Sequence, residues 1–408
     1  MILQKSRGIK LSSHGKLITM RRRMASLTLV ARTAGRRPLK AVYRNVVRAL
    51  RTAGVKAFAS GMIDVDGLLA TTREQEHITA QRRVYEEPPR SSISVPAGDP
   101  IPPLENVRTT LSLLDISDPG FSFRNGYLVD PSRRVVYEQK VLPLFDSLRV
   151  GLTPLEQPRR LHGSVACLWT SANYGHWLLY ALPLIQYYRS YLGSDPDYYY
   201  VGAPARGYQL ESLEMLGIPR KHIVEHAVQA DRLLAAIPDR QGGYDADLLL
   251  FADRALRPTA SSREDPGRRL FVSRASAEHR RLLNEADCAA ALQDVYGVEL
   301  VATEEMALAD EIDLFRNARL VVGPHGAGLS NIVFAPAGTR LVELTSTSYW
   351  SPPVAEIAAL KRQPHALLRG RLGRFQLGLP REWRDFEIDV SRLVEVVGAA
   401  LALDDPLG

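Results

Sequence analysis

Three glycines within six residues, Gly323, Gly326 and Gly328, stand between an apolar run (Leu320, Val321, Val322) and the segment that begins Leu329-Ser330-Asn331. Glycine lets the backbone approach a bound group with no Cβ in the way, and free N–H groups at the start of a following helix attract anions. The chemistry this supports is phosphate binding, with His325, Gly326, Ala327 and Gly328 around the anion and Gly323, Ser330 and Asn331 flanking it. The spacing is G-x-x-G-x-G, which matches neither the dinucleotide fingerprint nor a P-loop. The same glycines would equally serve tight strand-to-helix packing. Pro336 and Gly338 then stop the helix, and residues 340–344 read as a second buried strand carrying one acid, Glu343. An acid at such a strand end can accept hydrogen bonds from ribose hydroxyls.

Two further groups of residues have types suited to chemistry. Asn173-Tyr174-Gly175-His176-Trp177 falls where a strand ends and a helix begins. The helix macrodipole there favours a neutral imidazole, which suits His176 to act as a general base, with Asn173 and Trp177 beside it. A satisfied, half-buried histidine behind a capping Asn173 is the plainer alternative. Ser273-Arg274 ends another strand, and Arg280, Arg281, Asn284 and Glu285 follow on a loop into a helix. A guanidinium at a strand end beside a glycine anion seat can offset a diphosphate, although Arg281 and Glu285 could also be a surface ion pair. Three Asp-x-Asp pairs (Asp64/Asp66, Asp195/Asp197, Asp245/Asp247) do not clearly follow strands and are set aside as metal ligands.

The elements that must position these residues belong to a long chain. Its 408 residues suggest about two domains plus an extension, and 45% hydrophobic with 24% charged residues is a globular composition. Residues 1–60 hold 15 Lys and Arg and no acid, leaving 37 basic against 45 acidic residues in the remainder. The body is therefore acidic despite the overall charge of +7, which argues against nucleic acid as its partner. Within the extension, Leu39, Tyr43, Val46 and Leu50 share one helical face and Lys40, Arg44, Arg48 and Arg51 another. Residues 38–52 are thus a peripheral contact for an anionic membrane, with a solvated arm or a targeting peptide as alternatives. No apolar run is long enough for a membrane span. Cys167 and Cys288 are too few for a disulfide framework and fit a reducing, cytoplasmic setting.

Residues 85–106 are rich in Pro and Ser and read as linker or wrap. A small hairpin is expected around 127–129 and 135–137. Strands and helices alternate from residue 161: strands at 164–168, 198–201 and 233–237, helices at 176–191 and 208–216. After a polar break, strands at 270–272 and 299–301 alternate with helices at 283–296 and 309–317, and then comes the glycine unit. This pattern predicts two doubly wound parallel sheets joined near residue 262, with a last helix at 390–403.

Taken together, the 173–177 segment, the Val272-Ser273-Arg274 block with Arg281 and Asn284-Glu285, and Gly-Pro-His-Gly-Ala-Gly-Leu-Ser-Asn at 323–331 with Glu343 resemble glycosyltransferase family 61, the group with a DUF563 domain. The resemblance implies a GT-B-like α/β fold: a basic extension (1–60), linker and wrap (61–120), an acceptor-side Rossmann-like domain (121–262), a nucleotide-sugar domain (263–385), and a C-terminal helix (386–408) that could cross back. It implies inverting, metal-independent transfer from a nucleotide-sugar donor, UDP-linked by preference, to a glycan or lipid-linked glycan in bacterial surface-polysaccharide or capsule synthesis, with no cofactor. A catalytically silent binder of nucleotide or glycan is the alternative. By position, His325, Gly326, Ala327 and Gly328 would hold the diphosphate, Arg274 would offset its charge, Glu343 would bind ribose and His176 would face the acceptor. One departure stands out: similar proteins usually carry Gln where this chain has Glu311.

Overall fold

The computed structural model describes residues 61–403 apart from 72–76, 88–89, 105–106, 138–154, 169–172, 203, 239–245, 257–266 and 374–379. The basic extension, including residues 38–52, lies outside the described residues. No helix among them is long and apolar enough to cross a membrane.

Three sheets of six strands organise the chain. The first is small and includes the expected hairpin, Tyr127–Val129 paired antiparallel with Arg134–Tyr137. In the second, the strands Ile223–Val224, Tyr198–Tyr200, Ser164–Cys167 and Arg232–Pro238 run parallel. The antiparallel strands Val107–Ile116 and Ile78–Glu87 extend it at one edge. The third sheet has the order Glu299–Val301, Arg268–Val272, Ala318–Pro324, Arg340–Ser346, His365–Leu372 and Phe386–Glu387, parallel except for the last pair. Leu320 to Val322 and Leu341 to Leu344 are fully buried, as expected of central parallel strands covered on both faces.

The helix expected over 176–191 is broken in two places. Tyr174–His176 is one α-turn, Trp177–Ala181 is a π-turn, and Leu184–Leu192 resumes the α-helix. The cause is Pro183, which has no N–H to give and whose ring clashes with the preceding turn. The ladder widens instead, with the Leu182 N–H donating to the Trp177 carbonyl five residues back (2.9 Å).

Residues 61–120, read from sequence as linker and wrap, hold two ten-residue strands, whose Leu111, Leu113, Leu114 and Ile116 enter the core. The Val95 and Asp99 N–H groups donate to the His365 and Leu367 carbonyls, tying this stretch to the third sheet. The C-terminal helix, Val390–Leu401, lies on the third sheet. Its Leu393, Val396, Val397 and Ala400 pack with Phe271, Leu292, Leu320 and Val342 on the third sheet. The two large sheets also share one apolar cluster. It runs from Trp177, Leu182 and Tyr188 to Leu329, Ile332 and Phe334, so the helical layer around residues 177–188 packs on the glycine unit.

Candidate active site

In the third sheet the chain leaves Arg268–Val272, adds Glu299–Val301 on one side, then returns to place Ala318–Pro324 on the other. Strand order therefore reverses between Arg268–Val272 and Ala318–Pro324. In open parallel sheets the crevice beyond the carboxyl ends at such a reversal is where ligands gather. Two sequences emerge into it: Ser273-Arg274 and His325-Gly326-Ala327-Gly328.

The glycine segment continues as a 3₁₀ helix, Ala327–Val333. Gly323 and Gly328 are packing glycines: a Cβ at 323 would stand 3.0 Å from the Val272 carbonyl oxygen, and one at 328 would stand 2.9 Å from Thr303 Oγ1. They let the loop lie directly on the neighbouring strand. Gly326 has another purpose, since a Cβ there would meet Arg274 Nη1. Gly326, Ala327 and Gly328 are half-buried, and their N–H groups have no acceptor among the described residues.

Arg274 lies over this segment. Its backbone N–H donates to Glu285 (2.9 Å), which also takes the Ser273 hydroxyl (2.5 Å), and its Nη2 donates to the His279 carbonyl (3.2 Å). Its Nε is buried without an acceptor. Burial, and then the nearby Arg280 charge, pull the Arg274 guanidinium down to about 10 against the weaker opposing pull of Glu304, Tyr349 and Glu285. A cation kept in such a place favours an anionic partner.

His325 stands at the strand end with its N–H on the Leu344 carbonyl (2.7 Å) and its ring edge-on to Tyr349 (5.5 Å between centroids). Its Nδ1 bonds Glu343 Oε1, and His365 Nε2 lies 3.0 Å from Glu343 Oε2. Glu343 is fully buried, and so is His365. Burial acts to raise the Glu343 carboxyl, but the two imidazoles hold it below the ordinary carboxylate range. With both oxygens against histidines, Glu343 fixes the His325 ring and its tautomer. That arrangement leaves no carboxylate oxygen facing the crevice for a ribose.

The turn carrying His176 meets the glycine unit. A Cβ at Gly175 would stand 2.7 Å from Ser330 Oγ and 3.6 Å from Ala327 Cα. The Tyr174 hydroxyl donates to Asn331 Oδ1 (2.5 Å), and Asn331 Nδ2 donates to Glu311 Oε2 (2.6 Å). Ser330 and Asn331 are buried and turned toward this junction. Burial raises the Glu311 carboxyl to about 7, against the hydrogen bonds from Asn331 and Tyr174 that oppose it, with Glu211 and Glu304 adding to the rise.

Asn173 caps the turn, its side chain accepting the His176 N–H (3.0 Å). His176 is half-buried, 5.7 Å from the Tyr180 ring, at the mouth of the π-turn. Trp177 is 1% exposed and its indole N–H donates to Ser212 Oγ (2.9 Å), so its ring fills the core and offers no face to an acceptor. Arg281 bonds Asp385 through its main chain and guanidinium (each 2.9 Å), and the Asn284 side chain pairs with the Ile388 main chain (2.8 and 3.1 Å). These two hold the 385–388 segment on the sheet.

The structure thus brings Arg274, His325, Gly326, Ala327 and Gly328 together at one crevice with the His176 turn packed beside it. Arg281, Asn284, Asn331, Trp177 and Glu343 form the supporting frame. Sequence reading missed Tyr349 and His365 and gave Arg280 no role of its own. Tyr349 and His365 lie outside every motif, but Arg280 follows Arg274 by six residues and is the arginine whose guanidinium reaches Tyr349 (4.7 Å to the ring centroid).

Residues 174–342 match the family Glycosyltransferase 61, so the matched segment runs from the His176 turn to the strand of Glu343. The chain is 33% identical over 76 residues to the Drosophila melanogaster EGF domain-specific O-linked N-acetylglucosamine transferase, covering 18% of this chain and 14% of that protein. It is 38% identical over 69 residues to the Canis lupus familiaris protein O-linked-mannose beta-1,4-N-acetylglucosaminyltransferase 2, covering 16% and 12%. The matched stretch is thus less than a sixth of either relative's length. The family match and both relatives support a glycosyltransferase, similar over residues 174–342 to family 61.

Proposed function

We propose that the chain moves a sugar from a nucleoside-diphosphate donor, UDP-linked by preference, to a hydroxyl of a glycan or lipid-linked glycan, with inversion. The observation that carries this reading is the strand-order reversal, where the Arg274 guanidinium lies against Gly326 with no carboxylate within ion-pair distance among the described residues, and where the Gly326 to Gly328 N–H groups have no acceptor among them. In the reaction the acceptor oxygen bonds to the anomeric carbon as the bond from that carbon to the diphosphate oxygen breaks. Charge grows on the departing diphosphate. Fixed amides and a half-buried guanidinium stabilise that growth without having to reorganise.

The acceptor proton goes to a base, and His176 is the residue we assign, on the turn that packs against the glycine segment. Such a base contributes on the order of 10²–10⁴-fold. Glu343 and His365 orient His325 at the donor side. Both relatives are named for N-acetylglucosamine transfer, so UDP-N-acetylglucosamine is the first donor to test. We assign the acceptor to surface-polysaccharide synthesis, with the basic residues 38–52 bringing the enzyme to an anionic membrane.

The experiment is a donor screen with UDP-, GDP- and CMP-sugars, reading nucleotide release with and without oligosaccharide acceptors. Release of UDP that needs an acceptor and is lost in His176→Ala supports the reading. Tight UDP binding with no release under any acceptor would make the chain a nucleotide binder instead.

A further inference from the structure

Arg280 has a left-handed backbone, φ 55°, although it is not glycine. That conformation is costly for a long side chain and persists only where surroundings hold it, most often at sites of function. Its guanidinium lies 4.7 Å from the Tyr349 ring centroid, and the same ring meets His325 edge-on. Its Nη1 donates to the Glu382 carbonyl (3.0 Å), and its Nε is buried without an acceptor. No carboxylate lies within ion-pair distance of it among the described residues. Arg274, six residues earlier, shares this condition: its Nε too is buried and unmatched, and no acid pairs with it among the described residues. Arg274 lies against Gly326 and Arg280 reaches the adjacent His325 through the Tyr349 ring, so both cations border one short segment and an anion held there would draw on both.

We propose that Arg280 is a second diphosphate-binding residue, so that Arg274 and Arg280 each meet one phosphoryl group of a nucleoside-diphosphate donor. The assignment rests on the donor reading above and adds a residue to it. Two guanidiniums suit a diphosphate better than a monophosphate, since each can give paired N–H groups to its own phosphoryl oxygens. The left-handed backbone turns the side chain toward Tyr349 and the donor segment. Its neighbour Arg281 turns the other way, to Asp385.

The test is calorimetric titration of the full chain with UDP and with UMP, for wild type, Arg280→Gly and Arg280→Asn, with thermal unfolding of each. Both replacements tolerate the left-handed backbone, so either can stand if the other fails to fold. Arg371→Ala, which removes an exposed arginine paired with Glu387, controls for net charge. The expected result is a UDP Kd raised about tenfold in both variants, a UMP Kd changed by less than about twofold, and no fall in melting temperature for Arg280→Gly. Unchanged UDP affinity overturns the assignment, and so does an equal loss for UDP and UMP with a lowered melting temperature, which makes Arg280 structural. Wild-type protein that binds no UDP overturns the donor reading and this assignment together.

Discussion

Arg274 lies so close against Gly326 that a Cβ on residue 326 would run into its guanidinium at Nη1. The glycine is needed for the space its missing side chain leaves, because its backbone is extended (φ 175°) and any residue could adopt it. A methyl there must push the guanidinium away from the amides of Ala327 and Gly328.

Gly326→Ala is therefore expected to weaken UDP binding by about tenfold or more and to cost about 1–3 kcal/mol of stability. The double variant Gly326→Ala/Arg274→Ala should recover much of the stability loss, because the clash disappears with the guanidinium. Denaturant unfolding of the four proteins in the cycle measures the coupling. Additive losses would mean that the two residues do not meet as described.

Glu311 predicts a pH dependence of a definite sign. Its carboxyl is raised in the folded chain, so its contribution is fully present below the unfolded value and is lost as pH rises from about 4.5 through about 7. The loss is on the order of 3 kcal/mol. Glu311→Gln should flatten stability across that window, since an amide keeps the bond from Asn331 and has no proton to lose. A variant whose stability still falls with pH as in wild type would remove Glu311 as the source.

Tyr174→Phe removes the hydroxyl that donates to Asn331 Oδ1 and leaves a buried amide oxygen unmatched. The expected cost is about 1–3 kcal/mol in unfolding free energy. Because this bond ties the His176 turn to the glycine unit, turnover should fall more than UDP affinity does. Equal falls in both would show that the bond serves folding alone.

Trp177→Phe tests the placement of the indole. A core ring bonded to Ser212 predicts lost stability, about 1–3 kcal/mol, with little change in the KM for acceptor. A large rise in that KM in a protein of undiminished stability would return Trp177 to the acceptor surface.

Much of the third sheet was legible because its central strands are unbroken apolar runs and its helices carry a clear period, as at Leu320 to Val322 and Leu308–Arg316. The π-turn was not, because the pattern of 176–191 is helical throughout and only Pro183 hints at the break. Of the site, the glycine segment and Arg274 could be read from type and spacing. The burial of Glu343 could not, since an acid at a strand end looks the same whether it faces solvent or two histidines brought in from residues 325 and 365. Arg281 and Arg280 differ in role through one backbone angle, which sequence spacing does not reveal.

The central claim is that the crevice between Arg268–Val272 and Ala318–Pro324 grips a nucleoside diphosphate through Arg274 and the amides of Gly326 to Gly328. Titration calorimetry of UDP into wild type and Arg274→Ala tests it most directly. The account predicts binding by wild type and a loss of about tenfold or more in the variant, with the fold retained. Equal UDP affinity in the two proteins would contradict it.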